Sequence, residues 1–447
     1  MLRTLAAAAS CLMLVVTGCT GAGRQPAPAS SGPPVYQGPE LPRLITEEVP
    51  VDPDLWVQHT INVVTRLDEN TLVVYGGNER GEEGFGVLDL TSGKQLWSRA
   101  NLPMWIELPG VGRVQLSGSM LRGGDHAAGN VILLGYYQSS CAKRDLQCPE
   151  NRRGMTDSSG VLAYSAADRR LRWSTPTLLP VPLDSQEAEG RERSTAAIVA
   201  TTPKVVVVNM GGGPSGVRYE PGSEQVITMG LDPKTGRRLW ELPNVLTQRV
   251  VDDLVLGIAM PEGGETDPTP LALDADDGRE LWRLPSTETG RWTKAVPGLA
   301  LLEQTDPAEP LSGRARMISL PRGETGPELP PAAVGLGTGQ DGIPVAAWVG
   351  GTSTDPGNVQ VWSQRFDNPS QMSGREYRES ELALVNTVAN GYVWTSSASQ
   401  PWAVTALDQT GAARSNPLPG KPLHFDADLV VTATDGGGVR IWRYRPV

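Results

Sequence analysis

The chain has 447 residues and a formal net charge of −11, from 39 Lys and Arg against 50 Asp and Glu. This acidic balance argues against nucleic-acid binding, which needs a basic stripe, and against adhesion to anionic lipid headgroups. The 51 Gly and 38 Pro residues, with no sustained helical periodicity after the first twenty residues, favour an all-β chain dense in turns.

Residues 1–18 have the pattern of an export signal. Arg3 supplies the positive charge, Leu5–Val16 supplies the apolar stretch, and small residues stand directly before Cys19. This order resembles the bacterial lipobox, which implies that diacylglycerol is attached to Cys19 and anchors the exported protein to the outer face of the cell membrane. An ordinary secretory signal and a transmembrane anchor are the alternatives, although the apolar run is shorter than the roughly 20 residues that span a bilayer.

Residues 19–50 are rich in Pro, Ser, Ala and Gly, which predicts a flexible, partly extended tether. The Ala-, Gly-, Arg- and Pro-rich leader is typical of a high-GC bacterium such as an actinobacterium. We therefore expect a lipid-anchored tether that carries one folded domain, residues 51–447.

Four segments of that domain have similar sequences: GVLDLTSGKQLW, GVLAYSAADRRLRW, MGLDPKTGRRLW and LALDADDGRELW. They end at Trp97, Trp173, Trp240 and Trp282. Eight positions before the Trp stand Asp89, Ser165, Asp232 and Asp274, and four positions before it stand Gly93, Arg169, Gly236 and Gly278. Similarity of this kind within one chain indicates a repeat architecture.

Each copy has the pattern of a strand, a polar turn and a second strand that ends in an aromatic residue. The Asp can accept hydrogen bonds from the turn backbone, and the Gly adopts a positive φ without steric cost. Two further strand-like runs precede the first and third copies, so one unit holds about four antiparallel strands, as a propeller blade does. We expect the Trp to lie on the outer strand and to wedge against the neighbouring blade.

This turn, with Trp four residues after the Gly, resembles the tryptophan-docking repeat of PQQ-like (quinoprotein-type) β-propellers. Gly93 and Trp97, and likewise Gly236 and Trp240, match it best. The strand-like runs of the second half extend the propeller to eight four-stranded blades, with seven as the alternative. Because the last blade has only about three runs of its own, we expect a strand around Leu41–Val49 to complete it and close the ring.

The mature chain keeps one pair of cysteines besides Cys19, namely Cys141 and Cys148. In an exported protein such a pair predicts a disulfide. It closes a loop where the second repeat is longer than its neighbours. A recognition loop and a rigidified decoration are equally compatible with this position.

The resemblance also includes alcohol and sugar dehydrogenases that hold PQQ with Ca²⁺ at the propeller axis. The sequence has neither an adjacent cysteine pair nor a haem-binding Cys-x-x-Cys-His, and its histidines, His59, His126 and His424, lie far apart. The run from Asp274 to Glu280 lacks EF-hand spacing, and it aligns with the other repeat turns. We therefore predict no catalytic residues, no metal and no cofactor, with PQQ and calcium as the alternative.

The repeat also resembles that of non-enzymatic outer-membrane assembly lipoproteins, which use the same propeller to hold partner proteins. The sequence therefore favours a monomeric lipoprotein that binds a protein or another envelope ligand through its loops or central funnel. The alternative is an enzyme that acts on alcohols, sugars or envelope glycans, either with PQQ or as a hydrolase.

Overall fold

The computed structural model describes residues 40–447 except 58, 81, 103–104, 124–130, 145–147, 149, 168, 186–195, 211–225, 261–267, 307–308, 330–333, 340, 351–357, 367, 379–383 and 398–399. The predicted signal 1–18, Cys19 and residues 20–39 of the predicted tether lie outside the described residues, as does His126. The folded domain begins before residue 51, because strand β1 occupies Leu44–Val49 within the predicted tether.

Within the described residues, the strands form eight antiparallel sheets, here called blades and numbered along the chain. Blade 1 contains β2 (Thr60–Arg66), β3 (Thr71–Gly77), β4 (Glu83–Asp89) and β5 (Gln95–Leu102). Blade 2 contains β6 (Trp105–Leu108), β7 (Gly112–Gly123), β8 (Val131–Gln138), β9 (Ser158–Ser165) and β10 (Leu171–Leu178). Blade 3 contains β11 (Ala197–Thr201), β12 (Val206–Met210), β13 (Ile227–Leu231) and β14 (Arg238–Pro243).

The remaining five blades follow the same pattern. Blade 4 contains β15 (Val245–Val251), β16 (Leu254–Ala259), β17 (Thr269–Asp274) and β18 (Glu280–Arg283), and blade 5 contains β19 (Arg291–Val296), β20 (Leu299–Asp306), β21 (Glu309–Ser319) and β22 (Glu324–Leu329). Blade 6 contains β23 (Val334–Thr338), β24 (Pro344–Val349), β25 (Asn358–Arg365) and β26 (Asn368–Arg378), and blade 7 contains β27 (Leu384–Ala389), β28 (Tyr392–Ser396), β29 (Ala403–Leu407) and β30 (Leu418–Pro419). Blade 8 contains β31 (Lys421–Phe425), β32 (Leu429–Ala433), β33 (Val439–Pro446) and the N-terminal β1.

The first strand of each four-stranded blade, and β7 in blade 2, is its inner strand, and each inner strand contacts the inner strand of the next blade. The series closes on itself, because β2 contacts both β7 and β31. β1 pairs with β33 from Leu44 opposite Pro446 to Val49 opposite Ile441, so the first described strand completes the last blade. The predicted eight-bladed β-propeller and its closure by an N-terminal strand are both confirmed, and blade 2 has a fifth strand in addition.

The middle strands of the blades are the most apolar, because they are covered by a neighbouring blade on each side. Every residue of β12 is buried, and so is every residue of β9. Outer strands are more exposed, as in β14, where Trp240 is buried and the other residues are half-buried or exposed. The cores therefore lie between consecutive blades, and the one between blades 1 and 2 contains Phe85, Trp97 and Leu134.

Antiparallel order gives the ring two different faces. The connections from first to second and from third to fourth strand lie on one of them, here called the tight-turn face; examples are 67–70, 90–94, 202–205, 252–253 and 275–279. The connections from second to third strand and from one blade to the next lie on the other, here called the loop face. The longest of these are 139–157, 179–196 and 211–226. No helix within the described residues is long and apolar enough to cross a membrane.

Candidate functional site

The four repeat tryptophans lie on the outer strands β5, β10, β14 and β18. Each donates its indole N–H to a main-chain carbonyl in the tight turn of the next blade. The bonds run from Trp97 to Ala166 at 2.7 Å, from Trp173 to Pro233 at 3.0 Å, from Trp240 to Ala275 at 2.9 Å, and from Trp282 to Pro321. Each tryptophan thus combines a directional hydrogen bond with the burial of a large aromatic ring, and so fixes the position of the following blade.

The Asp of the repeat organises its turn. Asp232 accepts hydrogen bonds from the main-chain N–H groups of Lys234 and Thr235, at 2.8 and 2.9 Å. Burial raises the pKa of Asp232, but these hydrogen bonds outweigh burial and hold the pKa below its ordinary value. At Asp89, the hydrogen bond from the Ser92 hydroxyl is the main cause of a lowered pKa.

The Gly of the repeat is needed for its φ and for its size. Gly236 and Gly278 have φ of 71° and 72°. A Cβ atom at Gly236 would lie 2.5 Å from the Trp173 ring, and one at Gly278 would lie 2.9 Å from the Trp240 ring. The tryptophan of one blade therefore rests on the glycine of the next, and a side chain at that position would push it away.

Two of these four junctions, and the junction that closes the ring, show variations on this pattern. Arg169 replaces the glycine of blade 2 at φ 60°, and its guanidinium lies 5.6 Å from the centre of the Trp97 ring, a cation–π distance. At the junction of blades 8 and 1 the outer strand β1 carries no tryptophan, and Gly93 faces the Pro50 carbonyl that follows β1. Blade 5 has a docking turn that the sequence analysis missed, because its Asp is replaced by Ser319 and no Trp follows; Gly323 donates its N–H to Ser319 and contacts the Trp282 ring.

The predicted disulfide joins Cys141 and Cys148 in the connection 139–157 of the loop face. Main-chain bridges link Met155 to Cys141 on one side and to Pro182 on the other. Arg152 is buried beneath them and donates to the Thr156 carbonyl at 2.7 Å. The described residues of the connections 139–157 and 179–185 thus form one layered unit, here called the stapled platform.

The inner strands share a charge pattern that only the topology reveals. They contain Arg66, Arg113, Arg122, Arg249, Arg291, Lys294 and Lys421, and no Asp or Glu. Some of these cations have acidic partners outside the inner strands. Arg66 bonds Asp426 and Asp428 in the blade 8 turn, and Arg291 bonds Glu303. The charged residues on the inner strands of this acidic protein are therefore all positive, although β11, β23 and β27 carry none.

Six inner strands also share a β-bulge, at which one residue is left without a partner on the second strand. These residues, here called the axial bulge ring, are Asn62, Val199, Gln248, Thr293, Asn386 and Leu423. A bulge interrupts the ladder and redirects neighbouring groups, and bulges are frequent beside functional sites. Since an inner strand has a partner on one side only, carbonyls released here are available to groups at the axis.

Two cations bind these released carbonyls. Arg249 donates through Nη1 to the Gln248 carbonyl at 2.5 Å and through Nε to the Thr293 carbonyl of the next blade at 2.7 Å. Lys294 donates through Nζ to the Asn386 carbonyl at 3.3 Å. That bond runs from blade 5 to blade 7, past the inner strand of blade 6, and so places Lys294 at the axis. Burial lowers the pKa of Lys294, and the positive charge of Arg249 lowers it further.

The two described histidines do not form a site together. His59 lies on the surface at the start of blade 1, where its main-chain N–H bonds the Gly77 carbonyl. His424 lies on β31, and its Nε2 is buried without a hydrogen-bond partner among the described residues. Burial lowers the pKa of His424, against the opposing influence of Asp426.

The described residues do not fit the calcium-bound quinone that the resemblance implies as an alternative. Calcium needs six to eight oxygen ligands, several of them carboxylates. No group of three or more His, Cys, Asp or Glu side chains in the described part of the chain is arranged to hold a metal ion. Asp274 instead accepts the main-chain N–H of Asp276 at 2.9 Å, as a turn residue does.

No family model matches this sequence, and no curated protein matches it. Among solved structures, the Dos1 propeller is 9% identical and has a TM-score of 0.51, with 90% of this chain and 94% of that chain covered. A quinohemoprotein alcohol dehydrogenase from Pseudomonas putida HK5 is 11% identical, with a TM-score of 0.44 and coverage of 88% and 76%. The enzyme of that class from Comamonas testosteroni is 12% identical, with a TM-score of 0.44 and coverage of 91% and 76%. At these identities the likeness concerns the fold alone: the chain is an eight-bladed β-propeller, similar in fold to the Dos1 propeller.

Proposed function

We propose that this protein is a cell-envelope lipoprotein whose propeller is a non-enzymatic scaffold that binds a partner through its loop face. The observation that carries the proposal is the difference between the two faces. On the tight-turn face, short connections and docked tryptophans fix the blades. On the loop face, the same rigid ring supports long connections, and binding surfaces are commonly built from such loops on a rigid frame.

The stapled platform is a part of that loop face that is held by several cross-links. Its disulfide, its main-chain bridges and the buried Arg152 hold it in one conformation before any partner arrives. It also exposes apolar side chains: Leu179 is 62% exposed and Leu183 is 42% exposed. Exposed apolar groups on a preorganised surface favour association, because little conformational entropy is lost on binding.

The first described residues support an orientation in which the loop face is directed away from the membrane. β1 begins at the tight-turn face, where the main-chain N–H of Leu44 bonds the Arg414 carbonyl and the Tyr392 hydroxyl bonds the Pro42 carbonyl at 3.0 Å. Glu40 forms an ion pair with Arg414 at 3.4 Å. A tether from a lipidated Cys19 therefore reaches the ring on its tight-turn side. The opposite face would then be presented to partners outside the membrane.

Site-specific photocrosslinking in the native host tests this proposal. A benzophenone amino acid at position 183 on the platform is expected to crosslink an envelope protein, whereas the same group at position 94, in the blade 1 turn, is not. The partner should be lost when Leu179→Asp and Leu183→Asp are combined. Equal crosslinking from both faces, or no loss in the double variant, would contradict a binding role for the loop face.

The alternative is an enzyme, and it makes a different prediction. Titration of the purified protein with PQQ and Ca²⁺, followed by a dye-linked assay with alcohols and sugars, should give neither stoichiometric uptake nor turnover. Turnover in this assay would replace the scaffold with a dehydrogenase, whatever the crosslinking shows.

A further inference from the structure

We propose that the junction of blades 8 and 1 is an acid-sensitive latch, which loosens when His424 takes up a proton. Four ionisable side chains meet at the tight turns of these two blades. His424 lies near the end of β31, and Asp426 and Asp428 lie in the turn that follows it. Arg66 lies at the end of β2 in the next blade. The latch is independent of the loop face and of the partner proposed for that face.

Arg66 connects the two blades. Its Nη1 donates to Asp426 at 3.0 Å and its Nη2 donates to Asp428 at 3.5 Å, so one guanidinium of blade 1 binds both carboxylates of blade 8. The same guanidinium donates to the carbonyls of Asp68 and Glu69, at 3.0 and 3.1 Å, which fixes it to its own turn. The Arg66 side chain is only 16% exposed, so water and salt screen this contact less than an ion pair on the surface.

The neutral form of His424 fits this cluster better than the charged form. An imidazolium donates from both ring nitrogens. Nε2 of His424 is buried and has no hydrogen-bond partner among the described residues, so the charged ring would leave a buried donor unsatisfied. The carboxylate that attracts a charge on His424 is that of Asp426, which Arg66 already binds. If Asp426 turns towards the imidazolium, its bond to Arg66 weakens; if it does not, the new charge stays uncompensated. Both outcomes destabilise the closed junction.

The charges around His424 act in the same direction. Burial is the main cause of a lowered pKa at His424; the charge of Asp426 raises this pKa, and the charge of Arg66 lowers it. The strands in close contact with β31 are β2, β27, β29 and β32, and Arg66 is the charged residue that they contain. Lys421, on β31 itself, is exposed. Burial raises the pKa of Asp426, but hydrogen bonds from the Ala427 main chain and from Arg66 outweigh burial and keep this pKa below its ordinary value.

The direction of the pH dependence follows from the lowered pKa of His424. In an open junction the ring meets water and takes up a proton near its ordinary pKa of about 6.5, whereas the closed junction keeps it neutral to lower pH. The closed form is therefore fully stabilised above about pH 6.5, and it loses stability as the pH falls from there towards the folded-state pKa. At pH 5.5 the equilibrium should shift towards the open form by up to about tenfold, because the open form gains a factor of ten for each pH unit below its own pKa.

The junction of blades 3 and 4 provides a comparison within the same chain. Lys204, in the turn 202–205, binds Asp253 of the next blade at 3.1 Å, so this junction also has an ion pair between two turns. The Lys204 side chain is 46% exposed, and the inner strands β11 and β15 contain no histidine. Lysine and aspartate side chains ordinarily keep their charges between pH 5.5 and pH 7.5. We therefore expect this junction to be insensitive to mild acid.

Hydrogen exchange of the whole protein at pH 7.5 and pH 5.5, corrected for the intrinsic pH dependence of amide exchange, tests the latch. Protection of β2 and β31 should fall by up to about tenfold at pH 5.5 and should recover on return to pH 7.5. Protection of β11 and β15 should stay unchanged. An equal loss at both junctions, or no loss at the junction of blades 8 and 1, would overturn the proposal.

Two histidine variants assign the effect to one side chain. His424→Gln keeps a polar group but takes up no proton, so it should show the same protection of β2 and β31 at both pH values. His59→Gln removes an exposed histidine next to β2, and this matched control should lose protection at pH 5.5 as the unchanged protein does. If His424→Gln does not fold, an NMR titration of the unchanged protein serves instead, and its His424 ring should titrate below about pH 6.5. A loss of protection that persists in His424→Gln, or a ring that titrates at or above that pH, would contradict the latch.

Discussion

The two faces of this propeller are built from the same strands, yet they obey different constraints. On the tight-turn face, each docking tryptophan must meet a carbonyl and a close-packed turn in the next blade, so the length of that turn is restricted. On the loop face, no equivalent contact recurs from blade to blade among the described residues, and the connections differ widely in length. The repeated contact therefore constrains the turns on one face, whereas the connections on the other face can vary in length and sequence. We expect the binding surface to lie on that second face.

The ring closure shows that docking can be achieved in more than one way. Blades 3 and 4 meet through Trp240, which donates to Ala275 and rests on Gly278. Blades 8 and 1 meet through Pro50, whose carbonyl rests against Gly93, and the main-chain N–H of Asp52 bonds the Gly93 carbonyl at 3.0 Å. The N-terminal segment thus takes the place of a tryptophan at the one junction that joins the two ends of the described chain.

The largest effect is expected from a side chain added to the tight-turn face. Gly236→Ala should lower the free energy of unfolding by about 3–5 kcal/mol, because a positive φ and a clash with Trp173 act together. Gly342→Ala is the control, since Gly342 has a φ of 78° but no atom within 4 Å of its added Cβ. It should lose only about 1–2 kcal/mol in the same denaturant titration. Equal losses would show that docking contributes nothing beyond backbone conformation.

A smaller effect is expected when the docking residue itself is changed. Trp240→Phe removes the N–H donor to Ala275 and part of the buried ring, so the free energy of unfolding should fall by about 2–3 kcal/mol. Trp402, which is partly buried and lies outside the docking repeats, provides the control. If thermal unfolding shows that Trp402→Phe is as destabilising as Trp240→Phe, the docking contact does not make the repeat tryptophans more important for stability than other tryptophans.

On the loop face we expect a local effect instead of a global one. Cys148→Ser removes the disulfide, which should loosen the stapled platform by about 2–3 kcal/mol. Hydrogen exchange of residues 141–157 should accelerate, while exchange in the middle strands and the melting temperature of the ring change little. A cooperative loss of the whole ring would mean that the two faces are not independent.

The smallest effect concerns pH. The folded-state pKa of Asp232 lies below its ordinary value, so its charge stabilises the fold above the unfolded-state pKa, and this contribution is lost as the pH falls through the folded pKa. Asp232→Asn should therefore destabilise the protein more at pH 7 than at pH 2. The difference should stay below about 1 kcal/mol, because the turn is partly exposed. If unfolding followed by fluorescence shows that Asp232→Asn destabilises the protein more at pH 2 than at pH 7, this prediction is contradicted.

Much of the fold was predictable because its signals are local. The turn from Asp232 to Gly236 and the strand before it are specified within a dozen residues, since hydrogen bonds and φ preferences act over that range. The disulfide was predictable on a different ground: Cys141 and Cys148, seven positions apart, are the pair that remains besides Cys19 in a chain predicted to be exported. The blade 5 turn was missed because two of the three residues that identify the repeat are changed: Ser319 replaces the Asp, and no Trp follows. Only the Gly of the repeat, Gly323, is kept.

The sequence by itself determined the repeat unit, the docking tryptophans and the disulfide pair, because each depends on neighbours along the chain. Only the tertiary structure decided which strands are inner, and with that the common positive sign of the charged residues on them. Lys294 and the carbonyl that it binds are 92 positions apart. No local pattern relates such residues; they meet because β1 closes eight blades into a ring, and closure brings every inner strand to one axis.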